Sequence, residues 1–263
     1  MPGARHTLLH YNSELATQSN GTSIVVVSAE AAATETFIAF AHDLQVREWL
    51  DRIVVDECHL MVTASENRDA MRKLGFSLRN VRTQTMWLTA TLPPTMEEEF
   101  YKLACRDKPC VVRSSTYRPN LSHSIERFSG QEHSLTAWCT TLFIRTWNEL
   151  ISKYDNMGPH SKTIIYCQFN SDAVELAEEL ERPIFTSKSG DAAARAALIK
   201  GWLDDQSCPV IVATSALGLG FDYPHVRLVM HAGEPRSVVD FVQESGRAGR
   251  DGQPASSILV TRR

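Results

Sequence analysis

Two adjacent acids follow a short apolar run early in the chain. Residues 52–59 read RIVVDECH, so Asp56 and Glu57 come directly after that run. A buried strand that ends in acids presents its carboxylates at the carboxyl edge of a parallel sheet, where ligands bind in α/β folds. Asp56 could hold Mg²⁺ there, Glu57 could orient or deprotonate an attacking water, and His59 could couple this site to a second one. The alternative is a pair of acids in a solvated turn.

Hydroxyl residues end a second apolar run. Residues 86–93 read MWLTATLP, which places Thr89 and Thr91 where the run stops. Their hydroxyls could hydrogen-bond the carboxylates at the end of a neighbouring strand. On its own, the pattern favours the simpler interpretation, a strand exit that is capped by Thr91.

Glycines interrupt a third apolar run. Residues 210–222 read VIVATSALGLGFD. Gly218 and Gly220 would let the backbone approach a phosphate closely, because glycine has no Cβ. Asp222 could accept a hydrogen bond from a ribose hydroxyl. The pattern therefore suits a nucleotide.

Two arginines lie three residues apart shortly downstream. Residues 243–252 read QESGRAGRDG, in which Gly246 and Gly249 open a turn around Arg247 and Arg250. Guanidinium groups are planar, ionised and bidentate donors, and they suit the charge that develops on a phosphoryl group. A glycine-rich basic surface loop would explain the glycines, but not the preceding glycine pattern at this spacing.

Apolar runs that alternate with helical patterns must position these residues. The runs are apolar on both faces and so predict buried parallel strands in a doubly wound α/β fold. Thr95 and Glu98 predict a helix over 96–105, Asn170 or Ser171 can cap a helix that ends at Leu180, and Asp191 can cap the next one. The predicted strands cover residues 23–27, 52–55, 86–89, 163–167, 210–213, 228–231 and 257–260.

Composition excludes several classes of protein. The 263 residues carry a net charge of −4, which argues mildly against a protein that coats DNA. The six cysteines show no C-x-x-C spacing, so we expect reduced thiols and no zinc site. We also expect no membrane span and no secretory signal, and hence a protein of the nucleus or the cytoplasm.

Four motifs, in this order, resemble those of superfamily 2 helicases. DECH, TAT, ATSALGLGFD and QESGRAGRDG resemble motifs II, III, V and VI, and the form QESGRAGRDG is typical of the RecQ branch. Residues 25–30 and 162–170 resemble motifs Ib and IV, and TYRPNL at 116–121 resembles the start of the family's inter-lobe segment. Cys58 and the sequence TATLPP are similar to fungal RecQ-like copies.

The resemblance implies two RecA-like lobes, the first of them incomplete. We expect the first lobe at 1–115, an inter-lobe segment at 116–134 and the second lobe at 135–263. It implies ATP and Mg²⁺ as cofactors and single-stranded or partial duplex DNA as partner, with a nuclear role in DNA repair and recombination. The wider set of site residues that it implies includes His59, Gly218, Gly220, Asp222, Gly246 and Gly249 for the nucleotide, Ser28, Glu30 and Thr214 for DNA, and Thr89 and Thr91 for coupling.

The resemblance also implies the catalytic roles. Asp56 and Glu57 would be the Mg²⁺ and hydrolysis carboxylates. Arg250 would be the arginine finger, with Arg247 beside it, and Gln243 would lie near the γ-phosphate or bridge the lobes.

One expected element is missing from the sequence. No G-x-x-x-x-G-K-[S/T] loop occurs, because none of the 13 glycines is followed by lysine. We therefore expect the chain to begin between motifs Ia and Ib and to hydrolyse little ATP alone. The alternative is a nucleic-acid-binding remnant without catalysis. An RNA helicase of the DEAD/DEAH kind is disfavoured, since those proteins usually begin motif VI with His-Arg or Gln-Arg, whereas this chain has Gln243 and Glu244.

Overall fold

The computed structural model describes residues 8–11, 23–63, 69–107, 109–129, 134–153, 160–218 and 222–262. The chain divides into two compact units, Met1–Ser115 and Thr116–Arg263. Both units combine parallel strands with helices, which confirms the predicted α/β fold class.

The first unit contains two parallel strand pairs. Strand β1 (Leu8–His10) pairs with β2 (Ile24–Val26), and β3 (Arg52–Val55) pairs with β4 (Gln84–Trp87). Strand β4 ends two residues earlier than predicted, so Thr89 lies in the loop that leaves it. The helices are α1 (Ala29–Ala32), α2 (Glu35–Val46), α3 (Leu60–Thr63), α4 (Asp69–Leu78) and α5 (Glu97–Leu103).

The predicted start of α5 is wrong. Pro94–Met96 form a 3₁₀ turn, and α5 begins at Glu97 without a side-chain cap. Thr95 lies inside this turn and therefore cannot cap the helix. The Glu98 carboxylate instead contacts Lys102 at 2.8 Å, one helical turn further on.

A six-stranded parallel sheet forms the second unit. Its strand order is β5-β10-β9-β6-β8-β7. The strands are β5 (Leu121–Phe128), β6 (Lys162–Cys167), β7 (Ile184–Phe185), β8 (Val210–Ala213), β9 (Val226–Ala232) and β10 (Ala255–Arg262). Helices α6 (Leu135–Lys153), α7 (Asn170–Leu180), α8 (Ala192–Asp204) and α9 (Val238–Ser245) connect them.

Every residue of β6, β8 and β9 is buried, because apolar side chains pack on both faces of the sheet. This explains why those strands appear in the sequence as continuous apolar runs. Asp191 caps α8 as predicted, since its Oδ1 accepts a hydrogen bond from Ala194 N at 2.8 Å. Helix α7 instead follows Phe169 and has no side-chain cap, so the predicted cap by Asn170 or Ser171 is wrong.

The segment that we expected between the lobes contains a strand of the second unit. Strand β5 pairs with β10 at eight consecutive positions, from Leu121 with Ala255 to Phe128 with Arg262. It is an edge strand with five exposed side chains. Its polar sequence, LSHSIERF, has no apolar run that would have identified it.

Among the residues that the structure describes, no helix is both long and apolar enough to span a bilayer.

Candidate functional sites

The acid pair lies at the carboxyl end of β3. Both side chains are exposed, and Glu57 N donates to Asp56 Oδ1 at 2.8 Å. Glu57 has a φ of 50°, in the left-handed region, so the chain turns sharply after the acids. Cys58 N then donates to Leu88 O at 2.9 Å, which fixes this turn against the loop after β4.

A buried histidine joins the acids to the threonine pair. His59 is 1% exposed, and its Nδ1 lies 2.9 Å from Thr89 Oγ1 and 3.3 Å from Glu57 Oε2. Thr91 N donates to Thr89 Oγ1 at 3.1 Å. Thr89 and Glu57 therefore both contact the same nitrogen of His59, Nδ1, whereas the sequence predicts a direct contact between hydroxyl and carboxylate.

Ser28 and Glu30 begin helix α1. Both side chains are exposed, and Ser28 Oγ accepts a hydrogen bond from Ala31 N at 3.2 Å. The contact of these residues with DNA stays a prediction, because Ser28 Oγ already serves as a helix cap.

We call residues 246–253, which follow α9, the arginine turn. Arg250 Nη1 donates to Asp222 Oδ1 at 2.5 Å, and Arg247 Nη2 donates to Gly218 O. Arg247 is buried, whereas the Arg250 side chain is 35% exposed. The structure thus brings the arginines together with the glycine–aspartate motif inside one unit, and only Arg250 of the two faces solvent.

Two of the three glycines of the turn, Gly246 and Gly249, serve packing. Gly249 has a φ of 62°, and a Cβ there would lie 2.6 Å from Asn120 Nδ2. At Gly246 a Cβ would lie 3.0 Å from Val242 O. Neighbouring protein atoms occupy the space where a Cβ would lie, and the contact of these two glycines with a cofactor stays a prediction.

Of the other predicted contacts, one lies in the interior of the second unit and one lies outside the described residues. Thr214 is buried, and its N donates to Phe185 O at 3.0 Å, so its side chain is poorly placed to meet DNA. Its neighbour Ser215 is exposed. Gly220 lies outside the described residues. Gln243 is half-buried on α9.

Ser215 also lines a small pocket at the carboxyl ends of β6 and β9. Gln168 and Arg236 line it too, as does a buried pair in which His231 Nε2 lies 3.0 Å from Glu244 Oε2. The Tyr166 ring stacks on His231 with ring centroids 5.7 Å apart, and burial raises the pKa of Tyr166 well above its usual range. The pocket offers hydrogen-bond donors at the sheet edge where ligands bind in this fold class.

Sequence reasoning assigned no role to two residues that hold the arginine turn. Arg118 Nη1 donates to Gly246 O at 2.9 Å, and its Nη2 donates to Ala248 O. Asn120 Nδ2 donates to the carbonyls of Gly249 and Gln253, at 2.8 Å each. The RPN stretch could have identified these two residues, because it resembles the start of the helicase family's inter-lobe segment.

The residues present fit Mg²⁺ and ATP in part. Asp56 offers an exposed carboxylate, the oxygen donor that Mg²⁺ prefers, and Arg250 offers a partly exposed guanidinium. Within the described part of the chain, no cluster of three or more His, Cys, Asp or Glu residues could hold a metal alone. A magnesium ion at Asp56 would therefore take most of its ligands from phosphates and water.

Comparison with known proteins shows the class. Residues 144–252 match the helicase conserved C-terminal domain family. In structure, the chain resembles S. cerevisiae Dbp5 bound to RNA and ADP BeF3, with a TM-score of 0.65, 15% identity, and coverage of 99% of this chain and 72% of that one. It also resembles Mycobacterium smegmatis Lhr bound to ssDNA and AMP-PNP, with a TM-score of 0.62, 20% identity, and coverage of 99% and 35%. The second unit is therefore built around a helicase C-terminal domain.

Sequence relatives narrow this class. RecQ-like DNA helicase BLM of Xenopus laevis is 28% identical over 90% of this chain and 17% of its own length. ATP-dependent DNA helicase Q-like 4B of Arabidopsis thaliana is 30% identical over 94% and 21%, and ATP-dependent DNA helicase RecQ of Synechocystis is 28% identical over 90% and 48%. The chain belongs to the RecQ-type branch of superfamily 2 helicases, as its motifs predicted, and it spans less than half the length of these relatives.

Proposed function

We propose that this chain is part of an ATP-dependent DNA helicase that moves 3′–5′ and couples ATP hydrolysis to strand separation. The observation that carries the proposal is the contact of Arg250 with Asp222, at 2.5 Å, beside the contact of Arg247 with Gly218. This arrangement places a donor for phosphoryl charge and an acceptor for a ribose hydroxyl next to each other. The direction of movement rests on the family likeness.

Each residue has a chemical task in this proposal. Bound Mg-ATP would supply the phosphoryl group and the cation that balances its charge. Asp56 would hold the cation and Glu57 would orient the attacking water and accept its proton. Arg250 would stabilise the charge that develops on the phosphoryl oxygens.

His59 suits the coupling role, because it contacts both Glu57 and Thr89 in the first unit. A change at the Thr89–Thr91 loop would move the imidazole and with it the carboxylate of Glu57. The partner would be single-stranded or partial duplex DNA, and the work would be repair and recombination in the nucleus.

These 263 residues contain no phosphate-binding loop, and this limits the ATP hydrolysis that they can carry out by themselves. Backbone amides of such a loop supply much of the grip on a triphosphate. We therefore expect the polypeptide to show little or no ATP hydrolysis stimulated by single-stranded DNA in a phosphate-release assay. Hydrolysis at an ordinary helicase rate that Arg250→Ala abolishes would contradict this expectation.

A second candidate function is DNA binding without catalysis, which the missing loop favours. Fluorescence anisotropy with labelled single-stranded DNA separates the two. Affinity that falls with salt and ignores ATP would favour the binding role, because phosphate contacts release counterions. Affinity that changes with ATP would favour the motor.

A chimera tests the helicase proposal directly. Residues 116–263 would replace the matching region of Synechocystis RecQ, a relative named as an ATP-dependent DNA helicase. We expect DNA-stimulated ATP hydrolysis that falls roughly 10³-fold in Arg250→Ala, the usual contribution of an arginine finger. Arg145→Ala is the matched control, because Arg145 is an exposed residue of α6 whose ion pairs, with Glu126 of β5 and Glu149 of α6, lie at the surface. Equal rates of ATP hydrolysis in Arg250→Ala and Arg145→Ala would contradict the proposed role of Arg250.

A further inference from the structure

We propose that Arg118 and Asn120 act together as a latch that positions Arg250 by holding the arginine turn. The role of Arg250 in this inference rests on the proposed function, but the latch itself is a property of the second unit. These two residues would be positioning residues, since they act on the turn and not on a substrate.

Arg118 binds the backbone on both sides of Arg247. Its two terminal nitrogens donate to the carbonyls of Gly246 and Ala248. Hydrogen bonds from a charged donor are stronger than neutral ones. One guanidinium therefore fixes two carbonyls that lie within four residues of Arg250.

Arg118 and Arg250 also share an acceptor. Arg118 Nη1 lies 2.9 Å from Gly246 O, and Arg250 Nε lies 3.5 Å from the same oxygen. Burial, followed by the nearby charge of Arg250, lowers the pKa of Arg118. The guanidinium of Arg250 is therefore hydrogen-bonded to a carbonyl that Arg118 also holds.

Asn120 closes the other end of the turn. Its Nδ2 bridges Gly249 O and Gln253 O, and its own carbonyl accepts a hydrogen bond from Ala255 N at 2.9 Å. Gly249 has no Cβ and so leaves room for this amide, which a Cβ would approach to 2.6 Å. The backbone of the turn and the amide of Asn120 are thus fitted to each other.

The latch residues, Arg118 and Asn120, lie at the beginning of the second unit. Arg118 is the third residue of that unit, which begins at Thr116. Residues 110–117 are exposed and lie outside helices and strands. We infer that a pull on this entering segment would be felt at the arginine turn, because the segment leads directly into Arg118 and Asn120, which are bonded to the turn.

Nuclear magnetic resonance of the full chain, with ¹⁵N-labelled arginine, tests the latch without any nucleotide. The Nε–Hε signal of Arg250 reports its contacts and is assigned with Arg250→Lys. Asp222→Asn gives the reference position of the signal when the ion pair is absent. In Arg118→Ala and in Asn120→Asp we expect the Arg250 signal to shift toward that reference.

Amide hydrogen exchange is the second readout. Gly249 N donates to Val226 O at 2.8 Å. Arg118→Ala removes the hydrogen bonds that a charged group donates to the turn. It should therefore speed exchange of the Gly249 amide roughly tenfold or more, while amides of β6 and β9 keep their protection. Arg118→Lys keeps the charge but not the two-carbonyl geometry, so it should give an intermediate rate. If Arg118→Ala unfolds the unit, Arg118→Lys and Asn120→Asp still decide the question.

Two exposed residues of α6 provide matched controls. Arg145→Ala and Asn148→Asp repeat the chemical changes away from the turn, and we expect neither to move the Arg250 signal. An unchanged Arg250 signal and unchanged Gly249 exchange in both latch variants would overturn the inference. Equal ATP hydrolysis by the chimera and by its Arg250→Ala variant would count against the proposed function and leave this result intact.

Discussion

Arg250 Nη1 lies 2.5 Å from Asp222 Oδ1, so the proposed arginine finger is paired with the proposed ribose acceptor. The Asp222 side chain is 80% exposed and that of Arg250 is 35% exposed. An ion pair so open to water contributes little to stability. The pair can therefore open when each group meets its own part of a nucleotide.

The first prediction separates stability from function at this pair. Arg250→Ala and Asp222→Asn should each change the free energy of unfolding by less than about 1 kcal/mol, because the pair is exposed and screened. Urea denaturation followed by circular dichroism measures this change. A loss of several kcal/mol from either variant would show that the pair supports the fold.

A pair of glycines in the arginine turn provides the second prediction. Gly249 and Gly252 both have positive φ, of 62° and 79°, but only Gly249 has protein atoms within 4 Å of the position of a Cβ. Gly252→Ala should cost about 1 kcal/mol from backbone strain alone. Gly249→Ala should cost about 2–4 kcal/mol, because overpacking against Asn120 adds to that strain. Equal losses of unfolding free energy would contradict the packing of Asn120 on this turn.

The third prediction concerns Lys162. This buried lysine donates to the carbonyls of Trp202, Asp205 and Cys208, at 2.8, 2.7 and 3.0 Å, and so ends helix α8. Lys162→Met should destabilise the second unit by roughly 3 kcal/mol or more, since it removes three hydrogen bonds from a charged donor and each contributes on the order of 1 kcal/mol or more.

Lys200→Met is the control for this change. Lys200 is exposed on α8 and pairs only with Asp204, one helical turn away. We expect its loss to leave the denaturation midpoint almost unchanged. Similar midpoints for the two variants would mean that the three carbonyls do not depend on Lys162.

The fourth prediction concerns the thiols. Burial raises the pKa of Cys58 to about 11 and that of Cys139 to about 12. Only the thiolate reacts with alkylating agents, so at pH 8 these cysteines should stay unmodified. Exposed Cys105 and Cys110 should react with iodoacetamide, as read by peptide mass spectrometry. Early labelling of Cys58 in the folded chain would show that the acid turn opens.

Sequence patterns predicted the buried part of the fold well. Strands β3 and β8 occupy the predicted residues 52–55 and 210–213. Strand β8 is buried at all four positions, as its apolar sequence predicts, whereas in β3 only Val55 is buried and Val54 is half exposed. The helix after Pro94 begins later than its capping residues suggested. The prolines before it hold the chain in a 3₁₀ turn, a local preference that outweighs the Thr95–Glu98 pattern.

The sequence also identified residues that the fold brings together, but not the way they are held. It singled out Arg250 and Asp222 as nucleotide ligands, and the structure joins them across 28 positions of the chain. The contact of Arg118 with Gly246 spans 128 positions, and no periodic pattern encodes such a distance. Thr214 suggested a DNA contact by its motif, yet its burial depends on the packing of β7 beside β8.

The last prediction concerns strand β5 and the exposed segment before it. Residues 110–117 are exposed and outside regular structure, so trypsin should cut after Arg113 under limiting conditions. Strand β5 pairs with β10 along its whole length, which should protect the bond after Arg127. We therefore expect a resistant core that begins at residue 114, in contrast to a start at residue 135, where the sequence alone places the second lobe. Mass spectrometry of the digest decides between them: a core that lacks residues 121–128, or survival of the first unit instead, would show that β5 is not held in the sheet.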